Sequence, residues 1–154
     1  MGQRKRNDRM SLNIEVLESS FSRIKSQEIT FTTHFYANLL GDYPQVKPLF
    51  ENTHMEKQAK QLFKSLVLVI DNLQNPDVLS TSLKGLGTRH IKYGVLPEHY
   101  PMVGGALLKT LSTCLGTTWN STTEEAWSEA YGAITQLMLS GAVYPPEILN
   151  PHIQ

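Results

Sequence analysis

The chain has 154 residues, of which 40% are hydrophobic, enough for one folded domain with an apolar core. Its 14 basic and 14 acidic residues cancel, so the charge gives no reason to expect a nucleic acid or an acidic substrate as partner. The single cysteine excludes an intramolecular disulfide and a zinc site of several thiolates, which favours a reducing, cytoplasmic location. The longest apolar run, at 66–70, is far below the roughly 18 residues of a transmembrane helix.

The first ten residues, MGQRKRNDRM, differ from the rest because they carry basic side chains and almost nothing apolar. This composition predicts a flexible basic tail over 1–10, and it lacks the hydrophobic core of a secretion signal. A weak contact with an anionic surface is the alternative reading of the same charges. We expect the folded domain to cover 11–144 and a C-terminal extension to cover 145–154.

From residue 11 onward, apolar residues recur at spacings of three and four, which is typical of consecutive amphipathic helices. Ser11 is expected to cap the first helix, and the segment 41–44 to end the second. A third helix begins near Met55, and a short helix runs from Pro76 to the neighbourhood of His90. The stripes of the first three helices include Ile14, Leu17, Phe21, Ile24, Phe31, Phe35, Leu39, Ala59, Leu62, Leu66, Val69, Ile70 and Leu73.

Two longer helices complete the predicted fold. Pro97 suits the first turn of one of them, and Gly116 suits its end. Thr122 followed by Glu125 has the capping-box pattern, which predicts the start of the last helix, and Gly141 predicts its end. No segment of four or more residues alternates with period two, so the sequence predicts an all-α fold.

His90 is the strongest candidate for a functional side chain, and it lies in the run GLGTRHIKYGVLPEHYP at 85–101. A neutral imidazole at a helix end, facing an apolar slot, is suited to holding a metal cofactor. The alternative is a histidine whose ring nitrogens are satisfied at the helix end. We expect this structural alternative for the remaining histidines, which are His34, His54, His99 and His152.

The span from about residue 11 to 142 resembles a bacterial single-domain haem globin and is similar to the globin domain of flavohaemoglobins. The likeness rests on the order of these motifs along nearly the whole chain, and the fold it implies is a three-on-three helical sandwich around a haem pocket. The motifs are TTHFYANLLGDYPQVKPLF (32–50), Gln58 with Leu62, RHIKYG (89–94), HYPMVG (99–104) and AWSEAYGAI (126–134).

The resemblance implies a role for each matched residue. His90 would be the proximal ligand of the iron in haem b, and Phe50 would pack against the haem face. On the opposite side, Tyr36 and Gln58 would each donate a hydrogen bond to a bound gas, while Leu62 would wall the pocket. Other residues expected near the haem are Gln61 as an alternative donor, Leu86, Val95, Tyr100 and Val103.

Two departures from flavohaemoglobins affect the expected chemistry. Those proteins continue into flavin and nicotinamide domains, whereas nothing follows Gln154, so we expect any reductant to come from a separate reductase. They also carry a glutamate on the last helix that bonds the proximal histidine, and this chain has Ala142 at that position. The resemblance therefore gives less reason to expect a peroxidase-like activity.

Three functions are compatible with these residues. The first is reversible binding of O2, and of gases such as NO and CO, by an oxygen carrier, store or scavenger that is not itself an enzyme. The second is an NO dioxygenase that depends on an external reductase. The third is a gas or redox sensor, which the lack of an output domain disfavours. The sequence favours the first.

Overall fold

The computed structural model describes residues 12–142, and within them six α-helices and no strands are found. This confirms the all-α prediction. The tail over 1–10, Ser11, His152 and the extension over 145–154 lie outside the described residues. None of the described helices combines the length and hydrophobicity needed to cross a membrane. The helices are α1 (Ile14–Ile24), α2 (Glu28–Asp42), α3 (Met55–Asp71), α4 (Pro76–Lys92), α5 (His99–Leu115) and α6 (Ser121–Ser140), with short 3-10 turns at Lys25–Gln27, Pro44–Phe50 and Gly116–Thr118.

Most of the core comes from the predicted apolar stripes, but Phe63, which the predicted stripe of α3 omits, is among its buried residues. Helix α2 packs against α5, α4 packs against α6, and α1 contacts both α5 and α6. Phe63 of α3 lies between two phenylalanines, with ring centroids 5.5 Å from Phe21 and 6.0 Å from Phe31. Trp127 of α6 joins this cluster and donates from its indole nitrogen to Ser20 Oγ at 2.8 Å. That hydrogen bond satisfies a polar group that would otherwise be costly to bury.

The N-cap of the last helix lies two residues before the cap that the sequence predicted. Asn120 is the N-cap, because its side-chain oxygen accepts from the Thr123 backbone nitrogen at 2.9 Å and from the Thr123 hydroxyl at 3.0 Å. Thr122, the predicted cap, is an exposed residue inside the first turn. The prediction was wrong because two good capping residues stand close together, and asparagine is at least as good an N-cap as threonine.

Helix α4 begins at Pro76 and ends two residues past His90, close to the predicted bounds, but with 17 residues it is as long as α3 and α5 rather than short. Two other boundaries differ from the prediction. Pro97 does not lie in the first turn of α5, because that helix begins at His99 with Glu98 as its N-cap. The first helix begins at Ile14, where Asn13 accepts from the Val16 backbone nitrogen at 3.4 Å.

Candidate functional site

The last turn of α4 places His90 where the helix ends. Gly94 takes a φ of 89°, a left-handed conformation that a residue with a side chain rarely adopts. The Val95 backbone nitrogen then donates to the His90 carbonyl at 3.0 Å, and the Gly94 nitrogen to the Ile91 carbonyl at 3.0 Å. These two bonds form a Schellman motif, which terminates the helix and fixes the backbone at His90.

The His90 side chain is half-buried and oriented by its own helix. Its Nδ1 atom lies 2.8 Å from the Leu86 carbonyl oxygen. Because a carbonyl can only accept, Nδ1 carries the proton in this bond, and Nε2 keeps the lone pair. Burial lowers the pKa of His90, the Leu86 bond opposes that effect, and the charge of Arg89 lowers the pKa further. The imidazole is therefore neutral at pH 7, and its Nε2 atom is a potential metal donor.

Tyr36 of α2 is a buried phenol surrounded by aromatic rings. Its ring centroid lies 4.9 Å from that of Phe35 and 5.8 Å from that of Phe50, with interplanar angles of 83° and 73°. These edge-to-face arrangements are favourable and restrict the ring. Burial raises the pKa of Tyr36 to about 12, and a side-chain hydrogen bond with Gln58 acts in the opposite direction. Tyr36 therefore keeps its hydroxyl proton at pH 7.

Gln58 of α3 lies within hydrogen-bonding reach of the Tyr36 hydroxyl. Its amide can donate through nitrogen or accept through oxygen, and donation from the nitrogen would stabilise the phenolate, which lowers the pKa of Tyr36. The structure brings together Tyr36, Phe50 and Gln58 from three segments that are separate in sequence.

Leu62 and Gln61 occupy different faces of α3. Leu62 lies one turn beyond Gln58, is half-buried like it, and packs against the core. Gln61 is exposed, so the structure does not bring it to the Tyr36–Gln58 pair.

The remaining residues expected at the site line the apolar region around α4 and α5. Tyr100 is buried, and its carbonyl accepts from the Tyr131 hydroxyl at 2.7 Å. Tyr131 entered the sequence analysis only as part of the motif at 126–134, and this bond was not anticipated. The available signal was Gly104, whose missing side chain makes room for the Tyr131 ring: a Cβ there would lie 2.7 Å from it. The half-buried apolar residues of this region are Phe50, Leu86, Val95 and Val103.

The other described histidines have structural or surface positions. His99 is buried, and its Nδ1 atom accepts from the Leu96 backbone nitrogen at 2.9 Å. His54 is the N-cap of α3 and accepts from the Lys57 nitrogen at 3.4 Å. His34 is exposed on α2. Among the described histidines, only His90 combines partial burial with a side-chain hydrogen bond that leaves Nε2 as the basic nitrogen.

Comparison with known proteins supports the fold. The family model for Globin matches residues 33–138. A flavohemoprotein of Vibrio cholerae is 28% identical over 136 residues, which cover 86% of this chain and 34% of that protein. A flavohemoprotein of Pseudomonas aeruginosa is 34% identical over 111 residues, covering 70% of this chain and 28% of that protein. The chain thus spans about a third of the length of the curated relatives it matches.

A solved structure of a bacterial globin from Campylobacter jejuni aligns with a TM-score of 0.72 and 27% identity. The alignment covers 83% of this chain and 92% of that one. The match therefore covers most of both chains, and it confirms the three-on-three helical fold expected from the sequence.

Proposed function

This chain belongs to the globin family, and we propose that it is a haem b protein that reversibly binds O2, and also NO and CO, as an oxygen carrier, store or scavenger. The observation that carries the proposal is the state of His90: a half-buried, neutral imidazole whose Nδ1 atom is bonded to the Leu86 carbonyl. The relatives named flavohemoprotein support the haem part of the proposal. The lone cysteine of the chain supports a cytoplasmic location.

The residues present fit a haem. Haem iron takes a neutral imidazole nitrogen on one face, and a hydrogen bond from the other ring nitrogen holds such a ligand in place. His90 meets both conditions through Nε2 and Nδ1. The partly exposed apolar side chains of Phe50, Leu86, Val95 and Val103 provide an apolar lining for the macrocycle. When bound, haem supplies the iron that takes up a diatomic gas.

Tyr36 and Gln58 would act on the gas side of the site. In this proposal the Gln58 amide donates to the Tyr36 oxygen, which would leave the phenol proton to donate to the bound gas. A gas that acquires partial negative charge would be held by this donor more strongly than a less polar one, so the arrangement favours retention of O2 over CO. Leu62, half-buried one turn beyond Gln58, would help to exclude water. Gln61 has no role in this proposal.

Absorption spectra of the purified protein in its ferric, ferrous and O2-treated forms test the proposal. We expect one haem per chain and a ferrous form that changes on adding O2 and recovers when O2 is removed. His90→Ala should lose haem, while the matched control His34→Ala, at an exposed site on α2, should keep it. A protein that binds no haem, or a His90→Ala variant with the unaltered spectrum, would contradict the proposal.

A second candidate is NO dioxygenation, in which NO, O2 and one electron give nitrate. Two observations favour it: the buried Tyr36 donor, which would retain O2 until NO arrives, and the flavohemoprotein relatives. The electron would come from a separate reductase. Catalytic NO consumption with an added flavin reductase and NADH, at many turnovers per haem, would support this candidate. A single turnover followed by arrest would leave O2 binding as the function.

A further inference from the structure

Helix α4, which carries His90, lies in direct backbone contact with the end of α6. A Cβ atom on Gly87 would overlap the Met138 carbonyl and would stand 2.8 Å from the Met138 Cα atom. From the other side, a Cβ on Gly141 would overlap the Lys84 carbonyl and stand 2.6 Å from the Lys84 Cα atom. Each glycine therefore faces the backbone of the opposite helix, at a distance that no side chain could tolerate.

A side-chain hydrogen bond joins the same two segments. The Thr88 hydroxyl oxygen lies 2.7 Å from the Gly141 carbonyl oxygen on α6 and 3.1 Å from the Lys84 carbonyl on its own helix. Because Gly141 is the C-cap of α6, its carbonyl lacks a partner within the helix, and Thr88 supplies one. We call this arrangement of Gly87, Thr88 and Gly141 the glycine clasp.

The clasp is connected to the His90 side chain through one peptide unit. The carbonyl that accepts from His90 Nδ1 belongs to Leu86, and its carbon is bonded to the nitrogen of Gly87. That peptide group is rigid and planar, so a displacement of Gly87 also displaces the Leu86 carbonyl oxygen. The packing of Gly87 against Met138 therefore fixes the acceptor that orients the imidazole.

We propose that Gly87 is a positioning residue for His90: the glycine clasp holds the Leu86 carbonyl against α6 and so sets the orientation of the imidazole toward the haem iron. The inference rests on the proposed function, since it assigns Gly87 a role in presenting the iron ligand. Packed interiors resist added volume, so the clasp can hold this orientation more tightly than an exposed helix end would.

Two measurements test the proposal. Resonance Raman spectroscopy of the ferrous haem protein reports the stretching frequency of the bond between iron and histidine, and a separate assay gives the rate of haem loss. Gly87→Ala should shift or broaden that band and speed haem loss by at least about fivefold, the factor that corresponds to about 1 kcal/mol of overpacking. Gly85→Ala is the matched control on the same helix. A Cβ there would meet only the Arg89 side chain, at an ordinary 3.6 Å. It should leave both readouts unchanged.

Thr88→Val keeps the shape of the side chain and removes the bond to Gly141, so it tests the clasp without added volume. It should shift the same band in the same direction by a smaller amount. If Gly87→Ala does not fold, Thr88→Val decides alone, and an unshifted band in it overturns the proposal. An unshifted band in a folded Gly87→Ala protein overturns it as well.

A cavity variant separates this inference from the proposed function. In His90→Gly, imidazole added to the solution replaces the ligand but is no longer attached to α4. Adding Gly87→Ala to that variant should then leave the iron–imidazole band where it was. A shift equal to the one in the single Gly87→Ala variant would mean that Gly87 does not act through His90. If His90→Gly keeps its spectrum without imidazole, the proposed function itself fails. If imidazole is needed but Gly87→Ala has no effect on the wild-type band, only the positioning role fails.

Discussion

The proposed order of donors, from the Gln58 amide to the Tyr36 oxygen and from the Tyr36 hydroxyl to the gas, predicts that the two residues contribute to O2 retention in a coupled way. The two single changes are Tyr36→Phe, which removes the proposed donor to the gas, and Gln58→Leu, which removes the proposed donor to the Tyr36 oxygen. If Gln58 acts through Tyr36, then Gln58→Leu should have little further effect once Tyr36 is a phenylalanine. Two donors that reached the gas independently would instead give additive effects.

The magnitudes follow from the kind of bond that each change removes. A hydrogen bond to a group with developed charge contributes about 1.5–3 kcal/mol, so Tyr36→Phe should speed O2 release by roughly 10- to 150-fold. The bond from Gln58 to the Tyr36 oxygen joins neutral groups and contributes about 0.5–1.5 kcal/mol, or roughly 2- to 12-fold. We expect the double variant to release O2 at the Tyr36→Phe rate, a coupling energy of about 0.5–1.5 kcal/mol.

Stopped-flow measurement of O2 release from the wild type, both single variants and the double variant completes the cycle. Gln61→Leu is the matched control, because it makes the same substitution at an exposed position on α3 and should leave the rate unchanged. If the two single changes alter the activation free energy of O2 release by amounts that add to within about 0.3–0.5 kcal/mol in the double variant, Gln58 does not act through Tyr36. A Tyr36→Phe rate equal to that of the wild type would remove Tyr36 from the gas site altogether.

Three further predictions concern pH and stability. The pKa of Tyr36 is raised to about 12, above its unfolded value, so its neutral form is stabilised in the fold. O2 release should therefore be constant between about pH 6 and 10. The contribution of Tyr36 to the free energy of unfolding should fall between about pH 10 and 12, because the unfolded chain loses this proton first. Ser20→Ala should lower the free energy of unfolding by about 1–3 kcal/mol in urea titrations, because it leaves the buried Trp127 N–H without an acceptor. Asn120→Ala should cost about 1 kcal/mol in the same assay, because the Thr123 backbone nitrogen loses its cap.

Each of these predictions has a control and a contrary result. A rise in the O2 release rate with a midpoint near the free tyrosine value of about 10 would show that Tyr36 is not shielded from ionisation. Ser22→Ala changes an exposed serine of α1 and should alter stability by less than about 0.5 kcal/mol. Thr122→Ala should likewise have little effect, and if it destabilises the protein more than Asn120→Ala, the assigned cap of α6 is wrong.

The sequence predicts the fold well because apolar periodicity is a local property that burial then enforces. The predicted bounds of α4, from Pro76 to the neighbourhood of His90, agree with the observed helix to within two residues at its end. The sequence does not reveal the role of Gly87, which lowers the helix propensity of this segment but lies where the backbones of α4 and α6 meet. Tertiary packing decides this position, and no single-sequence pattern shows which residue of α6 it will face.

The candidate site divides in the same way. The bond from His90 to Leu86 spans one helical turn, so the sequence could anticipate it from spacing alone. The contact between Gln58 and Tyr36 joins two helices, and sequence reasoning assigned both residues the same independent role as donors. That they interact with each other depends on how α2 and α3 pack and can be read only from three-dimensional structure.

Burial acts on the two titratable groups of the proposed site with one consequence. It lowers the pKa of His90 and raises that of Tyr36, so both are neutral at pH 7. A protonated imidazole could not serve as a ligand, and an ionised phenol could not donate a hydrogen bond. For His90 the Leu86 carbonyl then determines that Nε2 is the atom that remains available. Burial thus acts in the direction that the proposed binding needs: it favours the neutral imidazole and extends to higher pH the range in which the phenol keeps its proton.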